Sequence, residues 1–273
     1  MPYVKFPISV GISSAGALIG TVGMLLWFAN YYETQIKAET GAEATLASFM
    51  LPVSVNIAMV GGIFWAVSAY GFLKDMKWAF STAIIGSVLC ILGGFFPILP
   101  YVSTGLGFPP TSTVFAVNLL FFVLLQTHVR PTQRKVLLLS FLTGIAYVLA
   151  FINGVASTHY ILVTHGSYYI ALEPINFFAS IAWGVTTVST VLGKSWSSML
   201  ISLAAIASIL GGIPIALASQ VDLSRPSLFW PSPLLALTII GILHFIGNPE
   251  TESKDRLRNA NVGNNGISLS GER

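Results

Sequence analysis

Residues 65–94, WAVSAYGFLKDMKWAFSTAIIGSVLCILGG, and residues 183–212, WGVTTVSTVLGKSWSSMLISLAAIASILGG, carry the same landmarks at one separation. Trp65 and Trp183, Trp78 and Trp196, and Gly93 and Gly211 are each 118 residues apart. Each stretch reads as an apolar span, a short basic turn with an interfacial Trp, and a second apolar span that leaves through Ile-Leu-Gly-Gly. A fixed separation of this kind points to one membrane unit written twice in tandem. The alternative is two unrelated membrane hairpins that resemble each other by physics alone.

The surrounding composition agrees with a membrane reading. Hydrophobic residues make up 54% and charged residues 8% of the 273, and mean hydropathy is +0.79. A soluble domain carries about three times that charge. One cysteine, Cys90, lies inside an apolar run, which leaves no basis for disulfides, thiolate zinc sites or iron–sulfur clusters. The net charge of +3 is no nucleic-acid footprint, because in a membrane protein the placement of Lys and Arg matters more than their sum.

Working outward, apolar runs near the 20 residues that cross a bilayer fall at about 8–29, 45–73, 78–94, 112–127, 136–157, 173–194, 196–218 and 228–246. The expectation is an all-α integral membrane protein of about eight helices. It divides into a four-helix unit at 1–127, a basic connector at 128–135, a second four-helix unit at 136–248 and a polar tail at 249–273. Pro52 is expected to kink the second span or mark its start. Residues 158–169, THYILVTHGSYY, are expected to form a charge-free loop, with Glu173-Pro174 opening the sixth span.

The cations sort by side. Lys5, Lys74, Lys77, Arg130, Arg134, Lys135, Lys194, Lys254, Arg256, Arg258 and Arg273 share one side, and only Lys37 and Arg225 fall on the other. Positive charge accumulates in the cytoplasm, so both termini are expected there, in a cell membrane. Four spans per unit give the two units the same orientation, as parallel repeats.

Candidate functional residues are few. No Asp, Glu, Lys or Arg falls at mid-bilayer depth, which argues against a pump built on a buried carboxylate. No nucleophile, base and orienting partner are grouped, so the chain is not read as an enzyme. His128 and His244 end the fourth and eighth spans, and together form a candidate bis-histidine haem site. His159 and His165, with Tyr160, Tyr168 and Tyr169, are candidates for meeting a quinone headgroup or a metal, or belong to an interfacial aromatic belt. Glu173, at an outer helix end, is a further candidate for contacting a substrate or lipid headgroup. Asn56 and Asn176 read as buried amides that bond between helices or contact a substrate or lipid headgroup. Asn56 precedes its Trp by nine residues and Asn176 by seven. That slip rotates a helical side chain by about 200°. Gly61-Gly62, Gly93-Gly94 and Gly211-Gly212 suit close helix approach, and the Gly-Gly-x-x-Pro and Gly-Gly-x-Pro ends are alternatively unwound tips lining a cavity.

The leading expectation is an accessory or anchoring subunit of a larger membrane complex, of the electron-transfer kind, with lipid and other membrane subunits as partners and no nucleic acid. The arrangement resembles some quinone-handling membrane subunits of respiratory enzymes in helix count only. The alternatives are a transporter or facilitator for a neutral or apolar solute, and a haem- or quinone-binding subunit.

Overall fold

The computed structural model describes residues 6–164, 167–223 and 227–246, and every regular element among them is helical. The first rod is α1 (Phe6–Leu18) and α2 (Met24–Ala38), joined by a π-turn at Ile19–Gly23. It is followed by α3 (Gly41–Leu73), α4 (Ala79–Phe95), the short α5 (Ile98–Ser103), and α6 (Thr111–Leu124), which runs into a π-turn at Leu125–Val129. Then come α7 (Arg134–Thr164), α8 (Ser167–Val191), α9 (Ser197–Leu223) and α10 (Pro231–Ile246). Among the described residues, six segments are long and apolar enough to cross a membrane: Pro7–Ala38, Gly41–Leu73, Ala79–Ser103, Thr111–Val129, Arg134–Val163 and Ser197–Val221. The α8 helix has the length but carries more polar residues, and α10 has only 16 residues.

Packing follows chain order. In one bundle α3 lies between α1 and α4, and α4 packs on α6; in the other α8 lies between α7 and α9, and α10 closes against both α9 and α7. The bundles meet where α3 and α4 touch α7 and where α4 touches α8. One apolar core runs through both. Phe151 links them, edge-on to Phe96 at 5.5 Å and to Phe177 at 5.7 Å.

The hairpin turns recur bond for bond at the separation of 118. Backbone N–H groups of Lys74, Asp75, Met76, Ala79 and Thr82 donate to the carbonyls of Tyr70, Phe72, Gly71, Met76 and Trp78. Those of Leu192, Gly193, Lys194, Ser197 and Leu200 donate to Val188, Thr190, Ser189, Lys194 and Trp196. The left-handed residue also matches, Asp75 at φ 53° and Gly193 at φ 64°. Trp65 and Trp183 are fully buried, while Trp78 and Trp196 are 41% and 43% exposed, as interfacial anchors are.

The glycine pairs are packing surfaces. A methyl on Gly62 would strike the backbone of Gly20 and Thr21 in the first π-turn; on Gly61 it would meet Gly86 and Cys90 of α4. Gly94 faces Phe115 and Gly212 faces Pro233, again a pair of contacts 118 residues apart. The Cys90 thiol, fully buried, donates to Ala58 O at 3.3 Å.

Four expectations about local structure are corrected. Residues 158–164 continue α7 and α8 starts at Ser167, so the loop expected at 158–169 is helical on both sides of the two residues outside the description. No proline or glycine interrupts 158–164, and Tyr160 stacks on Tyr169 at 4.9 Å, which holds the two helix ends together. Pro174 therefore lies inside α8 and does not open it. Pro52 lies inside α3 and neither starts nor ends it. Its ring removes the donor for Ser48 O, and Tyr32 Oη supplies a replacement at 3.4 Å. Pro214 is likewise within continuous helix, so 211–214 is no unwound tip.

Candidate functional site

The buried face of α8 is polar at nearly every turn. Asn176, Ser180, Trp183, Thr187 and Thr190 follow spacings of four and three, which aligns them on one helical face, and all five are at most 5% exposed. From first to last they cover about 21 Å at 1.5 Å per residue. The residues 118 positions earlier on α3 are Ala58, Gly62, Trp65, Ala69 and Phe72. Only the Trp is common, so the polar groups at these four other positions belong to the second bundle alone, while the first buries Ser54 and Ser68 of α3 and Asn118 of α6.

Four of the five meet a different neighbour, and Thr190 Oγ1 has none. Asn176 Nδ2 donates to Ser157 Oγ on α7 and to Leu172 O, both at 3.1 Å, and lies 3.4 Å from Gly211 O on α9. Ser157 Oγ donates to Asn153 O at 3.0 Å. Ser180 Oγ donates to Tyr147 O at 3.2 Å, Trp183 Nε1 to Ser208 Oγ at 2.8 Å, and Thr187 Oγ1 to Thr143 Oγ1 at 3.1 Å. The Asn176 amide is oriented by this network, because turning it over would aim its oxygen at the Leu172 carbonyl.

Two amide atoms are left over. Asn176 Oδ1 and Asn153 Nδ2 are buried without a hydrogen-bond partner. Gly211 lies against the Asn176 amide and Gly212 against Asn153 Nδ2, so each amide occupies the space that a side chain on its own glycine would take. Pro214 adds to the polarity here, since it offers no N–H to the Leu210 carbonyl. A buried acceptor and a buried donor, each unpaired and costing about 1–3 kcal/mol, suit a small neutral ligand that both accepts and donates.

A vestibule of about 560 Å³ lies between the bundles, lined by Glu39, Glu43, Phe96, His159, Tyr160 and Ser219, among others, and neither Asn153 nor Asn176 borders it. Ser219 Oγ is buried there without a partner. The Glu39 carboxylate accepts from Gln35 Nε2 at 2.8 Å. Burial raises its pKa from the ordinary value, the Gln35 bond pulls it back, and the neighbouring Glu43 charge adds to the rise. At the opposite, basic end, Thr190 borders a cavity with Arg130, Lys135 and Lys194. A third cavity, of about 160 Å³, lies between the bundles and is nearly all apolar, with Phe95, Phe122 and Phe141 in its wall.

The residues named from sequence separate. Asn176 is central to the niche. Glu173, one turn away and half-buried, lies 2.6 Å from Thr158 Oγ1. His159 lines the vestibule and meets Tyr160 edge-on at 5.8 Å. His165 lies outside the described residues. Asn56 is not buried as expected: it is exposed on the outer face of α3. The cause is the two-residue slip relative to its Trp, which puts Ala58 at the place Asn176 occupies in the second bundle. His128 and His244 are both exposed, His128 Nδ1 lies 2.8 Å from Thr127 Oγ1, and none of the three cavities is lined by either. Among the described residues no three His, Cys, Asp or Glu side chains converge as a metal site would require.

Asn153, Ser157, Ser180, Thr187 and Ser208 were not singled out from sequence. Hydroxyl residues are common in membrane helices, and only the spacing 176, 180, 183, 187, 190 marks this face. Searches against protein families, curated proteins and solved structures match nothing to this chain.

Proposed function

We propose that the chain is a facilitator for a small uncharged polar solute, which it binds at the Asn153–Asn176 niche of the second bundle. The observation that carries the reading is the unpaired donor and acceptor of those amides, at the head of a polar face whose equivalent positions in the first bundle, the shared Trp aside, are Ala, Gly and Phe. The solute in this reading enters from the side of the vestibule. The absence of carboxylates and cations from the face suits a neutral solute, because a charged one would travel without a counter-charge.

In this reading all eight rods span the bilayer, the two bundles are tandem parallel repeats, and the basic end is cytoplasmic. The recurring turn bonds support the repeat, and the Lys and Arg distribution supports the orientation. The test is osmotic swelling of proteoliposomes with glycerol and urea as probes. Protein-dependent flux of either, reduced at least about tenfold by Asn176→Leu, is expected; wild-type vesicles as tight as empty ones for both sink the reading.

A second reading, an accessory subunit of a larger membrane complex, is favoured by the outer face of α3. Phe49, Val53, Asn56, Val60, Ile63, Val67 and Tyr70 alternate by four and three along it, all exposed, and the Asn56 amide makes no hydrogen bond among the described residues. Exposed Asn30, Thr82, Ser202 and Thr238 bond to carbonyls of their own helices instead. An unpaired amide on a lipid-facing stripe suits a partner helix. A protein that runs with a partner in native gels from its own membranes, and loses it on Asn56→Leu, supports this reading; a bare monomer in both cases removes it.

A further inference from the structure

The basic end of the second bundle opens into a cavity of about 450 Å³ bordered by Arg130, Lys135 and Lys194, and none of the described residues that line it is acidic. Two helices start at this mouth, α7 at Arg134 and α9 at Ser197, and neither has an acidic residue in its first turn. First-turn N–H groups lack partners within their helix and form its positive end. Two such ends and the cations therefore concentrate positive potential on one volume. Thr190 Oγ1 adds a hydroxyl that is 5% exposed, lines the cavity and has no hydrogen-bond partner. The Arg130 guanidinium rests over the Phe80 ring, 5.4 Å from its centroid, so the first bundle helps hold it in place.

The rest of the wall is aliphatic, with Leu139, Leu142, Ile242 and Leu243, and it continues to Leu138, which is 55% exposed on the outer surface of α7. A site for a soluble anion has no use for that apolar ramp. We infer that the cavity holds the phosphate of an acidic phospholipid, with Arg130 and Lys194 on the headgroup, Thr190 donating a hydrogen bond to it, and an acyl chain along Leu138, Leu139 and Leu142. Anionic headgroups are enriched in the leaflet that basic residues face. The inference stands without the solute reading, since it rests on binding and not on flux.

The test uses the full chain in mild detergent, titrated separately with phosphatidylglycerol, with phosphatidylcholine of the same acyl chains, and with inorganic phosphate, and reads the melting temperature. Phosphatidylglycerol is expected to raise it above the phosphatidylcholine value, with half-saturation weakened at least about tenfold by Arg130→Gln with Lys194→Gln, from the loss of two charge-assisted contacts. Lys194→Gln alone, on an exposed turn, gives a smaller weakening and serves if the double variant does not fold. Thr190→Val weakens it too, whereas Lys74→Gln with Lys77→Gln, on the same membrane side but outside the cavity, leaves it unchanged. Equal shifts from the two lipids, an undiminished shift in the cavity variants, or equal protection by inorganic phosphate at matched concentration would each overturn the assignment.

Discussion

Asn176 has two roles that one substitution separates. Its Nδ2 joins α8 to α7, a kind of bond that averages about 0.6 kcal/mol in membrane proteins, while its Oδ1 has no partner. Asn176→Leu removes both a modest bond and an unpaired acceptor, so the melting temperature in detergent is expected to move little while solute flux is lost. A variant that melts far below wild type would make the amide structural. Glu39 offers a second residue-level test. Its raised pKa means that the fold favours the protonated carboxyl, so Glu39 lowers stability progressively as pH rises from the ordinary value of 4.5 through the raised one, and the loss is complete above it. Carboxyl carbon NMR should place its midpoint above the ordinary value. Glu43→Gln should move the midpoint down, by removing a like charge, and Gln35→Leu should move it up, by removing a hydrogen bond to the charged form.

Among the elements, α3 and the first π-turn approach closely where Gly62 meets Gly20 and Thr21. Gly62→Leu has the backbone of Gly20 and Thr21 in its way as well as the Thr21 methyl, so moving one side chain does not make room, and its destabilisation in a detergent melt should exceed the usual overpacking penalty of about 1–3 kcal/mol. A melt unchanged from wild type would mean that the π-turn and α3 do not touch there. These packing sites were legible in the sequence, because Gly-Gly between small residues has few other uses in a membrane helix, and so were the hairpins, because a basic turn beside a Trp is an interfacial signature. Helix ends were less legible. Residues 158–169 hold no charge, and polar aromatic residues such as Tyr160 and Tyr169 fit a loop or an interfacial helix equally well until their stacking is seen. The depth of Asn56 was misread although its spacing to Trp65 held the answer. The polar face of α8 needed the face itself, since Ser and Thr carry no composition signal in such helices.

Across the whole molecule, Phe151 marks the join between the bundles. Phe151 contacts Phe96 of one bundle and Phe177 of its own, and is 6% exposed. Phe151→Ala is expected to destabilise by about 3–5 kcal/mol and to leave the bundles more easily separated, which denaturant titration with limited proteolysis would read as a second transition. A single transition at the wild-type midpoint would place the join elsewhere. Orientation is testable at the same scale. Met76 and Val102, both exposed, sit at opposite ends, Met76 in the basic turn and Val102 on α5. Met76→Cys should react with an impermeant maleimide only after the membrane is opened, and Val102→Cys from outside intact cells; the reverse pattern inverts the topology.

Those labelling experiments gain from the place of Cys90. The one sulfhydryl of the chain is sealed between α3 and α4, with its hydrogen directed at Ala58 O. The unaltered protein is therefore chemically silent toward bulky thiol reagents, and no cysteine-free background has to be made first. Any site on the surface can be fitted with a spin label, a fluorophore or a cross-linker by a single codon change, and the signal that follows belongs to that site alone.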